Sequence, residues 1–138
     1  KTPVAFVDGS YNIKTNVYSY GGYISVNGKK TIFSGSGSEP EYADMRNVAG
    51  EIKGSMAAID MAIDMGLDTL VVYFDYMGIK SWATGDWKTN KPGTKKYKEF
   101  IDKASKKINI IFKKVRAHTG VDGNEEADML AKKAAGIL

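Results

Sequence analysis

The chain has 138 residues, enough for one domain with a buried core, and its 43% hydrophobic and 26% charged residues exclude a disordered polymer. It has no cysteine, which excludes disulfides, zinc–thiolate sites and cysteine nucleophiles. The 20 Lys+Arg against 16 Asp+Glu give a net charge of +4, which leans weakly toward polyanionic partners. No apolar run approaches the roughly 20 residues that a membrane span needs, so no membrane partner is expected. No signal peptide is visible, although Lys1 stands where an initiator Met would be. A cysteine-free chain fits a reducing compartment, and a cytoplasmic location is expected.

The first element is PVAFVDG (3–9), a continuous apolar run ending in Asp-Gly, which reads as a central strand buried on both faces. NVYSYGGYISV (16–26) is rich in β-branched and aromatic residues. Asn27-Gly28 supplies a type I′ turn, and KKTIFSGSG returns as a third strand, completing an antiparallel meander. From about Met45 to Met65, Val48, Ile52, Met56, Ile59 and Ile63 recur at steps of four or three and form one helical stripe. Gly66 is placed to end that helix. TLVVYFD (69–75) is a second continuous apolar strand, expected to run parallel to the first because a helix separates them. GIKSWATGDW allows a short helix and KTNKPG a loop. TKKYKEFIDKASKK forms a further helix with Tyr97, Phe100, Ile101 and Ala104 on one face, and NIIFKKV (109–115) a fifth strand. A last helix from about Gly123 or Asn124 turns Ala127, Leu130, Ala131 and Ala134 inward. The order is β-β-β-α-β-α-α-β-α, an α/β mixed sheet with helices packed on it.

Asp8 and Asp75 each close an all-apolar strand. If those strands are parallel neighbours, both carboxylates reach one crevice at the strand ends; alternatively, each is a turn former or helix cap. Glu51 lies near the start of the striped helix, where an acid is also favoured by the helix dipole. Ala49 and Gly50 precede it, and a helical Gly costs about 1 kcal/mol relative to Ala, so another group is expected to approach closely there. Converging carboxylates cannot all stay ionised without a counter-ion. Hard divalent cations take oxygen ligands, and ions about 4 Å apart clamp both oxygens of a phosphodiester displacement.

FVDGSY (6–11), RNVAGEIKGSMAAI (46–59), VVYFDYMGI (71–79) and KVRAHTGVDGNEEADMLAKKA (114–134) together carry a family signature. In this order and spacing the chain resembles the type 1 ribonucleases H over essentially its whole length. The resemblance implies an RNase H-like fold with a five-stranded mixed sheet, three strands antiparallel and two parallel, flanked by helices. It also implies one catalytic domain over 1–138, without a hybrid-binding domain, that cleaves the RNA strand of RNA–DNA hybrids. Its cofactors would be two Mg²⁺ ions, with Mn²⁺ as a substitute. Carried over by motif, the metal-holding acids are Asp8, Glu51, Asp75 and Asp128. Asp8 would bridge both ions. Asp128 would serve the ion that activates water, and Glu51 and Asp75 the ion facing the leaving 3′ oxygen. His118 matches the family's loop histidine, a helper in proton transfer or product release. The products would carry 5′-phosphate and 3′-hydroxyl ends. A free bacterial-type, monomeric enzyme is expected.

Hybrid recognition should rest on phosphates, 2′-hydroxyls and groove shape. By the resemblance, Asn47 contacts the hybrid near the scissile bond, and Trp82 packs beside the DNA strand or else within the protein. Ser10 is a candidate contact to a 2′-hydroxyl or backbone. Position 48, often Asn or Gln in relatives, is Val48 here, so an amide contact is missing or replaced. The segment GDWKTNKPGTKKYK (85–98) is short but interleaves Lys88, Lys91, Lys95, Lys96 and Lys98 with Trp87 and Tyr97. It suits backbone binding, or is a solvated lysine loop. Asn124 is a candidate substrate contact and an alternative N-cap to Asp122, which could form a capping pair with Glu125. Glu126 lies about 200° from Asp128 around the helix and should face solvent. Two rival readings are a DNA nuclease or transposase-like enzyme of the same fold, and an inactive hybrid-binding module.

Overall fold

The computed structural model describes residues 2–115 and 122–137, with side chains from Glu125 onward in the last helix. Ten elements follow in order: β1 (Val4–Asn12), β2 (Val17–Val26), β3 (Lys29–Gly37), α1 (Pro40–Ala43), α2 (Asn47–Asp64), β4 (Thr69–Phe74), α3 (Gly78–Thr84), α4 (Pro92–Ala104), β5 (Asn109–Lys114) and α5 (Asp122–Ala134). The five-stranded sheet has the order β3-β2-β1-β4-β5. β1 pairs antiparallel with β2 and β2 with β3, whereas β1–β4 and β4–β5 are parallel. This is the mixed sheet expected from the sequence, with β1 at its centre.

The local chemistry explains the boundaries. Asn27 and Gly28 both have positive φ (51° and 83°), the pair a type I′ hairpin demands. α2 ends in a Schellman motif. Gly66 takes φ 73°, its N–H bonds to the Ile63 carbonyl, and the Leu67 N–H reaches back to the Ala62 carbonyl. The structure adds α1, a single turn started by Pro40 and too short to show a hydrophobic period. It also starts α4 at Pro92, so the end of the expected loop is helical: Pro sits in the first turn, and the Thr94 hydroxyl accepts the Lys91 N–H at 3.1 Å. Among the described residues, no helix is long and apolar enough to cross a membrane.

The main core lies between the sheet and the α2–α4 side. Val7, Ile24, Ile52, Ile59, Leu70, Val72, Phe74, Ile79 and Tyr97 are each at most 1% exposed, and the Tyr97 hydroxyl donates to the Ile79 carbonyl at 2.6 Å. The opposite face of β1 is less covered: Phe6 is half-buried and stacks on Tyr73 of β4, ring centroids 4.7 Å apart.

Helices meet the sheet without intervening side chains at a few places. A Cβ on Gly50 would collide with the Ser19 carbonyl oxygen, and one on Gly9 with the backbone of Asn47 and Glu51. The helical glycine ahead of Glu51 is therefore a contact point between α2 and the β1–β2 pair. On β2, a Cβ on Gly21 would strike the α5 backbone at Leu130 and Ala131, and the Ser19 hydroxyl donates to the Ala131 carbonyl. Asn12 adds a bond from Nδ2 to the Ala135 carbonyl at 3.0 Å.

Gly50→Ala should destabilise the protein by about 3 kcal/mol or more in urea unfolding, because rigid backbone has to move. Gly66→Ala, at a positive φ facing open space, should cost only about 1 kcal/mol. Equal losses would contradict the close-approach reading.

Candidate active site

The four sequence-predicted acids come from four elements. Asp8 lies within β1, Glu51 in the second turn of α2, Asp75 just past β4, and Asp128 in the middle of α5. The β1–β4 register pairs Phe6 with Tyr73, so Asp8 and Asp75 lie two residues further along neighbouring parallel strands, on the same face by alternation. Glu51 is only 3% exposed, and its Oε1 accepts the backbone N–H groups of Asp75 (2.8 Å) and Tyr76 (2.9 Å). Asp8 is paired in register with Gly21, the residue that contacts α5 at Leu130 and Ala131. One helical turn earlier in α5, Asp128 is close enough to share a hydrogen bond with Asp8.

Burial, the nearby Glu51 carboxylate and the hydrogen bond to Asp128 raise the Asp8 carboxyl to about 8, against the partial relief of the Gly9 N–H at 2.9 Å. Burial also raises Glu51, to about 7; its two backbone N–H bonds and the charge of Lys114 work against that shift. Near neutral pH the metal-free Asp8 carboxyl therefore favours its protonated form. No group of three or more His, Asp or Glu side chains that could hold a metal ion is found among the described residues. The acids stand instead as two adjoining pairs, Asp8 with Asp128 and Glu51 with Asp75, and Asp8 senses Glu51 across them. Among the described residues, Asp8, Glu51 and Asp75 have no ion-pair partner, while Lys132 lies 2.9 Å from Asp128 Oδ2. An oxygen-only donor set, with Asp8 and Glu51 buried and Asp75 and Asp128 half-buried, fits a hard divalent cation.

The RNase H family profile matches residues 1–136. This chain belongs to the RNase H family. Ribonuclease H of Francisella philomiragia is 28% identical over 141 residues, covering 98% of this chain and 91% of that protein. Human Ribonuclease H1 is 36% identical over 101 residues, which cover 64% of this chain but only 35% of the human protein. In fold, the chain matches RNase H1 of the archaeon Halobacterium salinarum with a TM-score of 0.80, at 22% identity over the whole of both chains. LC11-RNase H1, solved in complex with an RNA/DNA hybrid, matches with a TM-score of 0.74 at 17% identity, covering 96% of this chain and 99% of that one.

The remaining candidate residues separate by exposure. Asn47 is exposed at the first residue of α2, and Lys88 is exposed after α3. Trp82 is half-buried and lines a cleft of about 240 Å³ with Met45, Val48, Tyr76 and Lys91. It packs within the protein as well, against Tyr76 and Trp87 at 5.8 Å each. Ser10, at 9% exposure, has little surface to offer a substrate. His118 lies outside the described residues, as do the side chains of Asp122 and Asn124. Glu126 departs from the solvent-facing expectation: it is half-buried and pairs with Lys30 of β3 at 3.1 Å. Sequence reasoning missed Tyr76, whose N–H holds Glu51. A backbone donor has no side-chain signature, and its only signal was its place next to Asp75.

The raised acids give a pH prediction. Asp8 and Glu51 bind protons more tightly folded than unfolded, so their effect on stability becomes less favourable as pH rises from about 4 to about 8. Glu39 is lowered by the Tyr18 hydroxyl, so its contribution has the opposite sign. The metal-free protein should melt several degrees lower at about pH 8.5 than at about pH 6. Asp8→Asn should flatten the difference, and Mg²⁺ should raise the melting temperature most at the higher pH. A melting temperature that climbs across this window would refute the assignment.

Proposed function

We propose that this ribonuclease H hydrolyses the RNA strand of RNA–DNA hybrids with two divalent metal ions, Mg²⁺ first and Mn²⁺ as a substitute, leaving 5′-phosphate and 3′-hydroxyl ends. The observation that carries the reading is Asp8: a buried acid raised to about 8, between Glu51 and Asp128 and without a cationic partner among the described residues. When bound, the ions would supply a water activated for attack and a charge that stabilises the leaving 3′ oxygen.

The chain's own residues would do the rest. Asp8, which senses both Glu51 and Asp128, would be the shared ligand and would give up its proton when the site fills. Both backbone bonds to Glu51 fall on Oε1, so Oε2 is the oxygen available to a cation. Asp75 would join Glu51 on the leaving-group side. Asp128 would have to release or share its contact with Lys132. Exposed Asn47 and Lys88, with Trp82 in its cleft, would hold the hybrid through backbone and stacking contacts rather than base edges. Affinity carried this way should fall with salt. His118 would assist proton transfer or product release.

The test uses labelled RNA–DNA hybrid, double-stranded RNA and double-stranded DNA, each with Mg²⁺ or EDTA. Only the RNA strand of the hybrid should be cut, and only with metal. Asp8→Asn should lose roughly a thousandfold in turnover, since several kcal/mol of transition-state stabilisation goes with the ions. His118→Ala should lose roughly a hundredfold and stay measurable. Cleavage of DNA, or full activity in Asp8→Asn, would sink the proposal.

A further inference from the structure

The segment joining β4 to α3 ties an aromatic cluster to a buried carboxylate. Tyr76 follows the end of β4, where the Val115 N–H to Phe74 carbonyl bond (2.7 Å) is the last next to the strand. The Tyr76 peptide is therefore held by other means. Its N–H donates to Glu51 Oε1 at 2.9 Å, and its carbonyl accepts the Ile79 N–H at 3.0 Å. Its ring lies 5.8 Å from Trp82 and 6.0 Å from Trp87, tilted 51° and 71°, and the tryptophans contact each other edge to face. A Cβ on Gly78 would strike both the Tyr76 and Trp82 rings, so the cluster sits directly on the backbone of the first α3 turn. The Trp87 backbone is anchored in turn, its main-chain N–H donating to the Ser81 carbonyl at 3.0 Å.

We infer that Tyr76 is a positioning residue for Glu51: its ring, held against Trp82 and Trp87, aims the backbone N–H that orients the carboxylate. The inference rests on the reading of Glu51 as a metal-holding acid. Partners that orient a ligating carboxylate strongly affect metal affinity. A side-chain substitution at Tyr76 leaves the N–H in place but removes what fixes its direction, so the effect should be graded. Cation affinity then depends on three rings that need not touch the ion.

The test measures the Mn²⁺ dissociation constant of the substrate-free full chain by calorimetry, and hybrid affinity separately in EDTA. Tyr76→Phe keeps the ring and should bind Mn²⁺ like the unsubstituted protein. Tyr76→Ala should weaken Mn²⁺ binding by about five- to tenfold, toward the lower end of losses at orienting partners. Trp87→Ala, at a residue 40% exposed, should leave the fold intact and weaken binding in the same direction by about two- to threefold. It carries the test if Tyr76→Ala does not fold. Mn²⁺ affinity unchanged in both alanine variants, with hybrid affinity reduced, would make the cluster a substrate contact alone and overturn the inference. Failure of the unsubstituted protein to bind Mn²⁺ would instead defeat the metal reading on which it rests.

Discussion

The close approach of two helices to the β1–β2 pair is the constraint on which the site depends. Gly9 and Gly50 bring α2 onto the sheet with no side chain between them, and Gly21 does the same for α5 on the other face. These contacts lie within a residue or two of Asp8 and Glu51 and one helical turn from Asp128. The glycine that weakens α2 as a helix is what carries Glu51 to the sheet. An added methyl there would displace the helix bearing one acid from the strand bearing another. The hydrogen bond from the Ser19 hydroxyl to the Ala131 carbonyl ties α5 to β2 at the same place.

That packing places acids where water cannot solvate them well. Asp8 and Glu51 are pushed up mainly by burial, then Asp8 by Glu51 and Asp128, and Glu51 by Asp75. A protein could relieve this with lysine or arginine, and this chain has 20 of those residues. Among the described residues they pair elsewhere: Lys53 with Glu39, Lys96 with Glu41, Lys98 with Asp102, and Lys30 with Glu126. Of the described lysines, Lys132 alone forms an ion pair with one of the four acids, from the next turn of the same helix. Among the described residues no cation forms an ion pair with Asp8 or Glu51, and Lys114 only partly offsets the burial of Glu51, so a divalent ion is the natural means of relieving both.

Elements governed by local chemistry were legible in the sequence. Asn27-Gly28, the Ile52–Ile59 stripe, the Gly66 stop and the two apolar strands ending in acids each announce themselves through turn type or period. The placement of Asp8 and Asp75 on adjoining parallel strands followed from those strands. The grouping of Asp128 with them did not: it came from the family resemblance, because no local pattern states which strand a terminal helix will cover. Contacts between distant segments were likewise invisible. Lys30 meets Glu126 across 96 positions, and Glu51 finds its donors in backbone N–H groups 24 and 25 residues away. α1 was missed because a single turn has no period, and the start of α4 because Pro-Gly reads as a loop until the helix behind it is seen.

The account turns on whether these acids hold divalent ions together. Anomalous diffraction from crystals of the protein grown with Mn²⁺ and a hybrid bearing a non-cleavable RNA strand tests this most directly. The account predicts anomalous density at the Asp8 carboxylate, flanked by Glu51 and Asp75 on one side and Asp128 on the other. Density confined to other acids, with Asp8 still hydrogen-bonded to Asp128, would contradict it.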